Sequence, residues 1–346
     1  MQAQPVADQL GRILHNVRFS VTDRCNFRCD YCMPAETFGA GYKFIPRAEL
    51  LTFEEIVLVA RELVPLGVRT LRITGGEPLL RRGLDKLVAM LRALDSFECL
   101  DGASLDLALT TNGSLLANMA GPLRAAGLNR VTVSLDSLNP ATFARMSGSR
   151  MSLDTVLNGI ATASSVGFTN IKLNAVIRRG VNDSDVLELA DYARANGHIL
   201  RLIEFMDVGN SNGWRLDEVV PAHELLATIH TRYPVESVSA TRRGEVSTRY
   251  RYVDGKGEIG LIASVSAPFC GDCTRLRLSA DGTVYTCLFA STGLDLRPHL
   301  RPTYDPAGLS EALRGIWRAR GDRYSELRSA DSAIMRPKVE MFRLGG

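Results

Sequence analysis

The chain has 346 residues, 45% of them apolar, and a net charge of +3. That is enough for one large α/β domain, or a large domain with a smaller one, and too little charge to make nucleic acid a bulk partner. No apolar run approaches the roughly 18 to 20 residues that span a bilayer, and the opening MQAQPVADQLGRIL lacks a signal-peptide pattern, so the expected compartment is the cytoplasm with no membrane association. Seven cysteines in such a chain point to thiolate ligands rather than disulfides. Only Cys99 stands apart from two groups of three, and it reads as a small buried hydrophobe. The excess of arginine over lysine reads as a compositional bias.

From residue 16 to 206 short β-branched runs alternate with amphipathic stretches. Strands are predicted at 16–21, 70–74, 104–111, 130–135, 170–176 and 199–205. Helices are predicted between them at 53–66, 84–94, 115–126, 153–166 and 186–195. Six βα units imply a parallel sheet and, below the eight of a full barrel, an incomplete (β/α)6 TIM-like barrel with its chemistry at the carboxyl ends of the strands. Residues 93–107 read as an extended surface loop, and the Arg81-Arg82 and Arg242-Arg243 pairs as ordinary surface charges. After about residue 232 the pattern shortens, with turn signals at Gly255-Lys256-Gly257 and Asp281-Gly282. The expected division is therefore a barrel over 1–231 and a C-terminal α+β extension over 232–346 that closes the open side.

Where the first strand ends, Cys25-Asn26-Phe27-Arg28-Cys29-Asp30-Tyr31-Cys32 offers three thiolates. Three-cysteine ligation of a four-iron cube leaves one iron open to a substrate or cosubstrate. Zinc and a cluster of buried thiols are the plainer alternatives, although zinc knuckles usually pair CxxC with a second CxxC or with histidines. Gly75-Gly76-Glu77-Pro78 follows the second strand, where missing β-carbons let backbone approach a ligand, but taken alone it is equally a turn. In the extension Cys270-Gly271-Asp272-Cys273 and Cys287 again supply three thiolates. The Asp281-Gly282 turn reads as a hairpin that brings the third back to the first two.

CxxxCxΦC followed by GGEP resembles the signature of the radical S-adenosylmethionine (SAM) superfamily, and the second three-cysteine set narrows the resemblance. From about Val17 to Gly346 the chain resembles the molybdenum cofactor biosynthesis protein A family of GTP 3′,8-cyclases, through SVTDRCNFRCDYCMP, LRITGGEPLLRR, LTTNG, VSLD, FCGDCTRLRLSADG and the terminal Gly345-Gly346. The resemblance implies two [4Fe–4S] clusters, one on Cys25, Cys29 and Cys32 that binds SAM, the other on Cys270, Cys273 and Cys287 that binds the guanine of GTP. It implies SAM contacts from Tyr31, Gly76, Ser134 and Met206, and GTP contacts from Arg18, Arg72, Thr110, Lys172, Arg201, Arg275 and Arg277, with Asn112 nearby. Arg18, Arg275 and Arg277 would assist cyclisation, and the glycine tail would reach the active site.

On period-2 strands Arg275 and Arg277 share a face, and bidentate arginine suits a triphosphate. Thr70 departs from the lysine that many relatives carry two residues before the arginine equivalent to Arg72; Arg69 beside it should face the other way. Implied partners are a reductase or flavodoxin-type electron donor and a downstream cyclic pyranopterin monophosphate synthase, and a homodimer is compatible. The rival readings are a radical SAM peptide maturase, whose extensions usually hold more cysteines, and a structural iron–sulfur or zinc protein that binds RNA. The latter would need a basic patch interleaved with aromatics, and aromatic residues make up only 7% of the chain.

Overall fold

The computed structural model describes residues 4–96, 103–328 and 337–345, so Cys99 and Gly346 lie outside the described residues. Strands β1 (Asn16–Ser20), β2 (Thr70–Thr74), β3 (Asp106–Thr111), β4 (Arg130–Ser134), β5 (Lys172–Ile177) and β6 (Ile199–Glu204) pair in parallel, each with the next. Along each strand one set of side chains is apolar and fully buried, such as Val17 and Phe19, Leu71 and Ile73, and Leu173 and Ala175. The alternate set, including Arg18, Arg72 and Lys172, lines a cavity on the other face. This is the alternation expected of barrel strands with packed helices outside and a site within.

The covering helices are α1 (Phe53–Leu63), α2 (Leu84–Arg92), α3 (Leu116–Ala125), α4 (Pro140–Ser147), α5 (Leu153–Ser165) and α6 (Val186–Ala195). α1 begins with a capping box in which Thr52 and Glu55 each bond the other's backbone N–H, and gives way at Val64 to a tight turn containing Pro65. α4 was not among the predicted helices, yet its signals are in the sequence: Asn139 caps Ala141 and Thr142, Pro140 is the first helical residue, and left-handed Gly148 ends it. The segment read as a loop from 93 begins as a short 3-10 turn, Ala93–Ser96.

The rest of the chain forms α7 (Ala222–Arg232), β7 (Val235–Val238), β8 (Thr248–Tyr252), β9 (Glu258–Ile262), β10 (Arg275–Leu278), β11 (Thr283–Tyr285), β12 (Leu294–Asp295), α8 (Pro306–Arg318) and α9 (Met341–Leu344). It does more than cover the open side. β9 pairs in parallel with β6 and β10 in parallel with β1, so the extension lengthens the parallel sheet at both edges. Antiparallel β8–β7 and β11–β12 continue it outward, giving the order β12-β11-β10-β1-β2-β3-β4-β5-β6-β9-β8-β7. Residues 263–274, which carry Cys270 and Cys273, run from one edge of the parallel run to the other. The fold is a partial TIM-like barrel. Among the described residues no helix is long and apolar enough to cross a membrane.

Candidate active site

One cavity of about 660 Å³ runs the length of the barrel and is lined by all six motif cysteines, none of them in a disulfide. The first three occupy the loop after β1. Arg28 pins that loop by donating to the carbonyls of Cys25, Phe27 and Phe38 at 2.7–2.9 Å. Gly75 and Gly76 let the end of β2 lie against the same loop: a β-carbon on Gly76 would stand 2.4 Å from the Arg24 carbonyl oxygen, and one on Gly75 2.5 Å from that of Thr22. In that contact Gly76 N–H donates to Thr22 and Glu77 N–H to Arg24, each at 2.8 Å. Tyr31 donates to buried Asp136 at 2.8 Å. Ser134 and Met206 line the same mouth, where Asn212 holds the Met206 carbonyl at 2.9 Å.

Cys270 opens the turn Cys270–Asp272 and Cys273 follows it, and the β10–β11 hairpin returns Cys287 to the cavity. Cys273 meets electrostatics opposite to those of the first set and of Cys287. Burial and the carboxylate of Glu77 push the Cys25 thiol up to about 12, and burial with neighbouring acidic groups and thiols also raises Cys29 and Cys32. Burial raises Cys287 to about 11. For Cys273 burial acts upward too, but the guanidiniums of Arg275 and Arg320 outweigh it and bring the thiol down to about 6.

Both sets fit iron–sulfur ligation by their donors. The thiols are unpaired, they border one cavity, and in each set a backbone N–H two residues on points at a sulfur: Phe27 to Cys25 at 3.4 Å and Phe289 to Cys287 at 3.5 Å. Thiols that burial keeps protonated release their protons when metal binds. Among the described residues no three His, Cys, Asp or Glu side chains converge on the position of a single ion. A four-iron cube asks for a wider spacing, because each thiolate binds a different corner.

Between the sets the strands carry cations. Arg18 stands level with Arg72 on one side and Arg277 on the other, and Arg275, Lys172 and Arg201 complete the group. Arg72 donates to Thr110 at 3.0 Å and Thr132 at 3.2 Å. Burial and repulsion from neighbouring cations lower Arg72 to about 9, Arg201 and Arg277 to about 10, Lys172 to about 7, and Arg18 well below the usual range. Asn112 reaches towards the first set, donating to Asn26 at 2.9 Å with Cys25 Sγ at 3.9 Å.

Sequence reasoning missed Arg130, Arg249 and Arg242 in this cavity. Arg130 is paired with Asp106 and Arg249 with Glu258. Period-2 spacing from Thr132 and Ser134 would have found Arg130. Arg242 lies in a turn with no such signal; it is exposed, as expected of a surface charge, but its guanidinium donates to Thr70 at 3.4 Å and it lines the cavity. Arg81 is another correction: it donates to the carbonyls of Val21 and Leu51 and stacks on Phe53 at 4.5 Å. Arg69 does turn away, bonding the Val64 and Val68 carbonyls.

The C-terminal segment enters the barrel. Buried Lys338 bonds the carbonyl and carboxylate of Asp207 at 2.7 and 2.8 Å, and Phe342 packs on Phe38 with ring centres 4.9 Å apart. The Gly345 carbonyl then accepts from both Arg18 and Arg277.

Residues 19–193 match the Radical SAM superfamily and residues 198–326 match Molybdenum Cofactor Synthesis C. A "GTP 3',8-cyclase" of Acidothermus cellulolyticus is 60% identical over 95% of this chain and 90% of its own length. Another of that name from Xanthomonas axonopodis is 50% identical over 99% of both chains. Streptococcus suis SuiB bound to its precursor peptide SuiA superposes with a TM-score of 0.61 over 90% of this chain and 67% of SuiB. At 13% identity that likeness is one of fold, and it lends no weight to a peptide substrate here. An iron–sulfur cluster and SAM come with the superfamily. With family matches over both halves and full-length identity of this order, the chain belongs to the radical SAM superfamily and, within it, to the family of the GTP 3′,8-cyclases.

Proposed function

We propose that the chain converts GTP to (8S)-3′,8-cyclo-7,8-dihydroguanosine 5′-triphosphate, the first step of molybdenum cofactor biosynthesis. The observation that carries this reading is a single cavity lined by two separate three-cysteine sets with a group of cations on the strands between them. In this reading Cys25, Cys29 and Cys32 hold the [4Fe–4S] cluster that receives SAM, and Tyr31, Gly76, Ser134 and Met206 surround the SAM. Cys270, Cys273 and Cys287 hold a second [4Fe–4S] cluster at the guanine. When bound, the first cluster and SAM together supply a 5′-deoxyadenosyl radical that takes hydrogen from C3′ of the nucleotide.

The chain's own residues bind and orient. Arg72, Lys172 and Arg201, with Thr110, meet the triphosphate, whose charge relieves the repulsion among them and returns Lys172 to its charged form. Arg18, Arg275 and Arg277 lie nearer the second set and hold the ribose and base as C3′ approaches C8 of guanine. The hydrogen bonds of Arg18 and Arg277 to the tail's Gly345 carbonyl close that end against water. A flavodoxin-type reductase would supply the electron, a cyclic pyranopterin monophosphate synthase would consume the product, the site of action would be the cytoplasm, and a homodimer is compatible with these roles.

The test is anaerobic incubation of the reconstituted chain with SAM, a reductant and GTP. 5′-Deoxyadenosine and the cyclised nucleotide should appear together. 5′-Deoxyadenosine with GTP left unchanged would refute this substrate. Iron should approach about eight atoms per chain, and about four would remove the second cluster.

A further inference from the structure

Against the second cysteine set lies a buried ion cluster with no part in the reaction as proposed, although Arg320 within it also borders the cavity. Asp8, from the segment before β1, sits between the guanidiniums of Arg12 and Arg320; the side chains of Asp8 and Arg12 are 0% exposed and that of Arg320 2%. Arg12 Nε donates to the carboxylate at 2.5 Å and Arg320 Nη1 at 3.1 Å. Trp317 braces the group, donating from Nε1 to the Arg12 carbonyl at 2.9 Å while Arg320 stacks on its ring at 4.6 Å.

Both arginines also donate to backbone at the cysteines. Arg12 Nη1 donates to the Cys270 carbonyl at 2.6 Å and to that of Asp322 at 2.9 Å. Arg320 Nη1 donates to the Cys273 carbonyl at 2.7 Å. Its Nε donates at 3.1 Å to the carbonyl of Thr286, in the peptide unit that carries the Cys287 N–H. Cys270 and Cys287 are separated in sequence by a whole hairpin, and none of the three cysteines lies in a strand. A thiolate can be held in place only as well as the backbone that carries it. A guanidinium with several donors in a fixed fork can fix two chain segments at once, and the Asp8 carboxylate keeps two such forks side by side in a buried site.

We propose that Asp8, Arg12 and Arg320 are positioning residues for the second cysteine set: by clasping the backbone at all three cysteines they hold Cys270, Cys273 and Cys287 ready for cluster binding. This rests on the reading that the second set holds a cluster. It adds a role for the segment before the first strand, which has no place in the radical SAM region matched at 19–193.

The test uses the full chain, reconstituted anaerobically, as wild type, Arg12→Gln, Arg320→Gln and Arg320→Lys. Iron and sulfide are counted and the reduced protein is examined by electron paramagnetic resonance. Wild type should carry about eight iron atoms. The Gln variants should fall towards about four, keep SAM cleavage, and lose the component of the spectrum that responds to GTP. Arg320→Lys keeps the charge beside Asp8 but only a single point of donation, and should fall between. In the metal-free chain, alkylation of Cys270, Cys273 and Cys287, read by peptide mass spectrometry, should speed up several-fold in the Gln variants while that of Cys25, Cys29 and Cys32 stays unchanged. Variants with about eight iron atoms and an unaltered spectrum overturn the proposal. So does equal loss of iron from both sets, since the triad would then serve the fold as a whole. A wild type with only about four iron atoms instead sinks the second-cluster reading, and the positioning role with it.

Discussion

Arg18 and Arg277, level with each other across the parallel β1–β10 pair, converge on one acceptor, the carbonyl oxygen of Gly345. Two guanidiniums that repel each other, Arg277 buried and Arg18 half-buried, share a backbone oxygen from the chain's far end. Gly345 is what allows the tail to lie there. Its φ is +71°, and a β-carbon would stand 2.1 Å from Thr74 Cγ2.

Gly345→Ala should therefore displace the tail. The left-handed backbone alone costs about 1–2 kcal/mol with a side chain, and the clash adds to it. We expect faster carboxypeptidase trimming and GTP turnover lowered by at least about tenfold, equivalent to ~1.4 kcal/mol. Thr74→Ser removes the offending methyl and should recover part of the loss, leaving the backbone strain. Undiminished turnover in Gly345→Ala would show that the tail's position does not matter.

Arg275 and Arg277 share a strand face but not their partners. Arg275 lies 3.5 Å from Cys273 Sγ and stacks on Phe269, whereas Arg277 holds the tail. Arg275→Ala with Arg277→Ala should leave SAM cleavage largely intact and abolish the cyclised product. Taken singly, only Arg277→Ala should expose the tail to carboxypeptidase. Retained cyclisation in the double variant would refute their role.

How much of this was legible in the sequence follows from what each signal depends on. Strands β1 to β6 could be read because each has an apolar face repeating every second residue, as in Val17 and Phe19 or Leu71 and Ile73. The same period put Arg18, Arg72, Lys172 and Arg201 on the opposite face. The parallel pairing of β9 and β10 with the barrel edges was not legible, because short strands carry no information about which edge they join. Arg242 and the Asp8–Arg12–Arg320 cluster were hidden for a related reason: their meaning lies in contacts between segments far apart in sequence. The glycines of GGEP were read as making way for a ligand, and in the fold they also make way for the cysteine loop itself.

Lys172 gives a pH signature. Burial, then Arg201, Arg130 and Arg72, lower it to about 7 in the ligand-free chain, against an ordinary 10.5. Between those values the unfolded chain binds more protons than the folded one, so stability should rise with pH from about 7 towards 10.5, by at most about 1.4 kcal/mol per unit. Below pH 7 the burial penalty is present in full. A bound triphosphate favours the charged amine, so GTP binding should take up a proton above pH 7, where the phosphate's own second ionisation, near roughly 6, is complete. Calorimetry in buffers of different ionisation enthalpy should detect the uptake in the wild type. Equal uptake in Lys172→Met would assign the proton to another group.

Thr70 stands where the family resemblance leads us to expect a lysine, and the structure sets another cation beside it. Arg242 reaches Thr70 Oγ1 from the turn before β8, lines the inner end of the cavity and, among the described residues, forms no ion pair with a carboxylate. Arg130 and Arg249 nearby are already committed to Asp106 and Glu258, so Arg242 is the better placed of the three to meet a terminal phosphate. Arg242→Ala should weaken GTP binding by about tenfold, equivalent to ~1.4 kcal/mol, and weaken GDP binding less. Thr70→Lys in that background should recover GTP affinity, because β2 directs residue 70 to the same face as Arg72. Equal losses for GDP and GTP, or no rescue by the lysine, would place the terminal phosphate elsewhere.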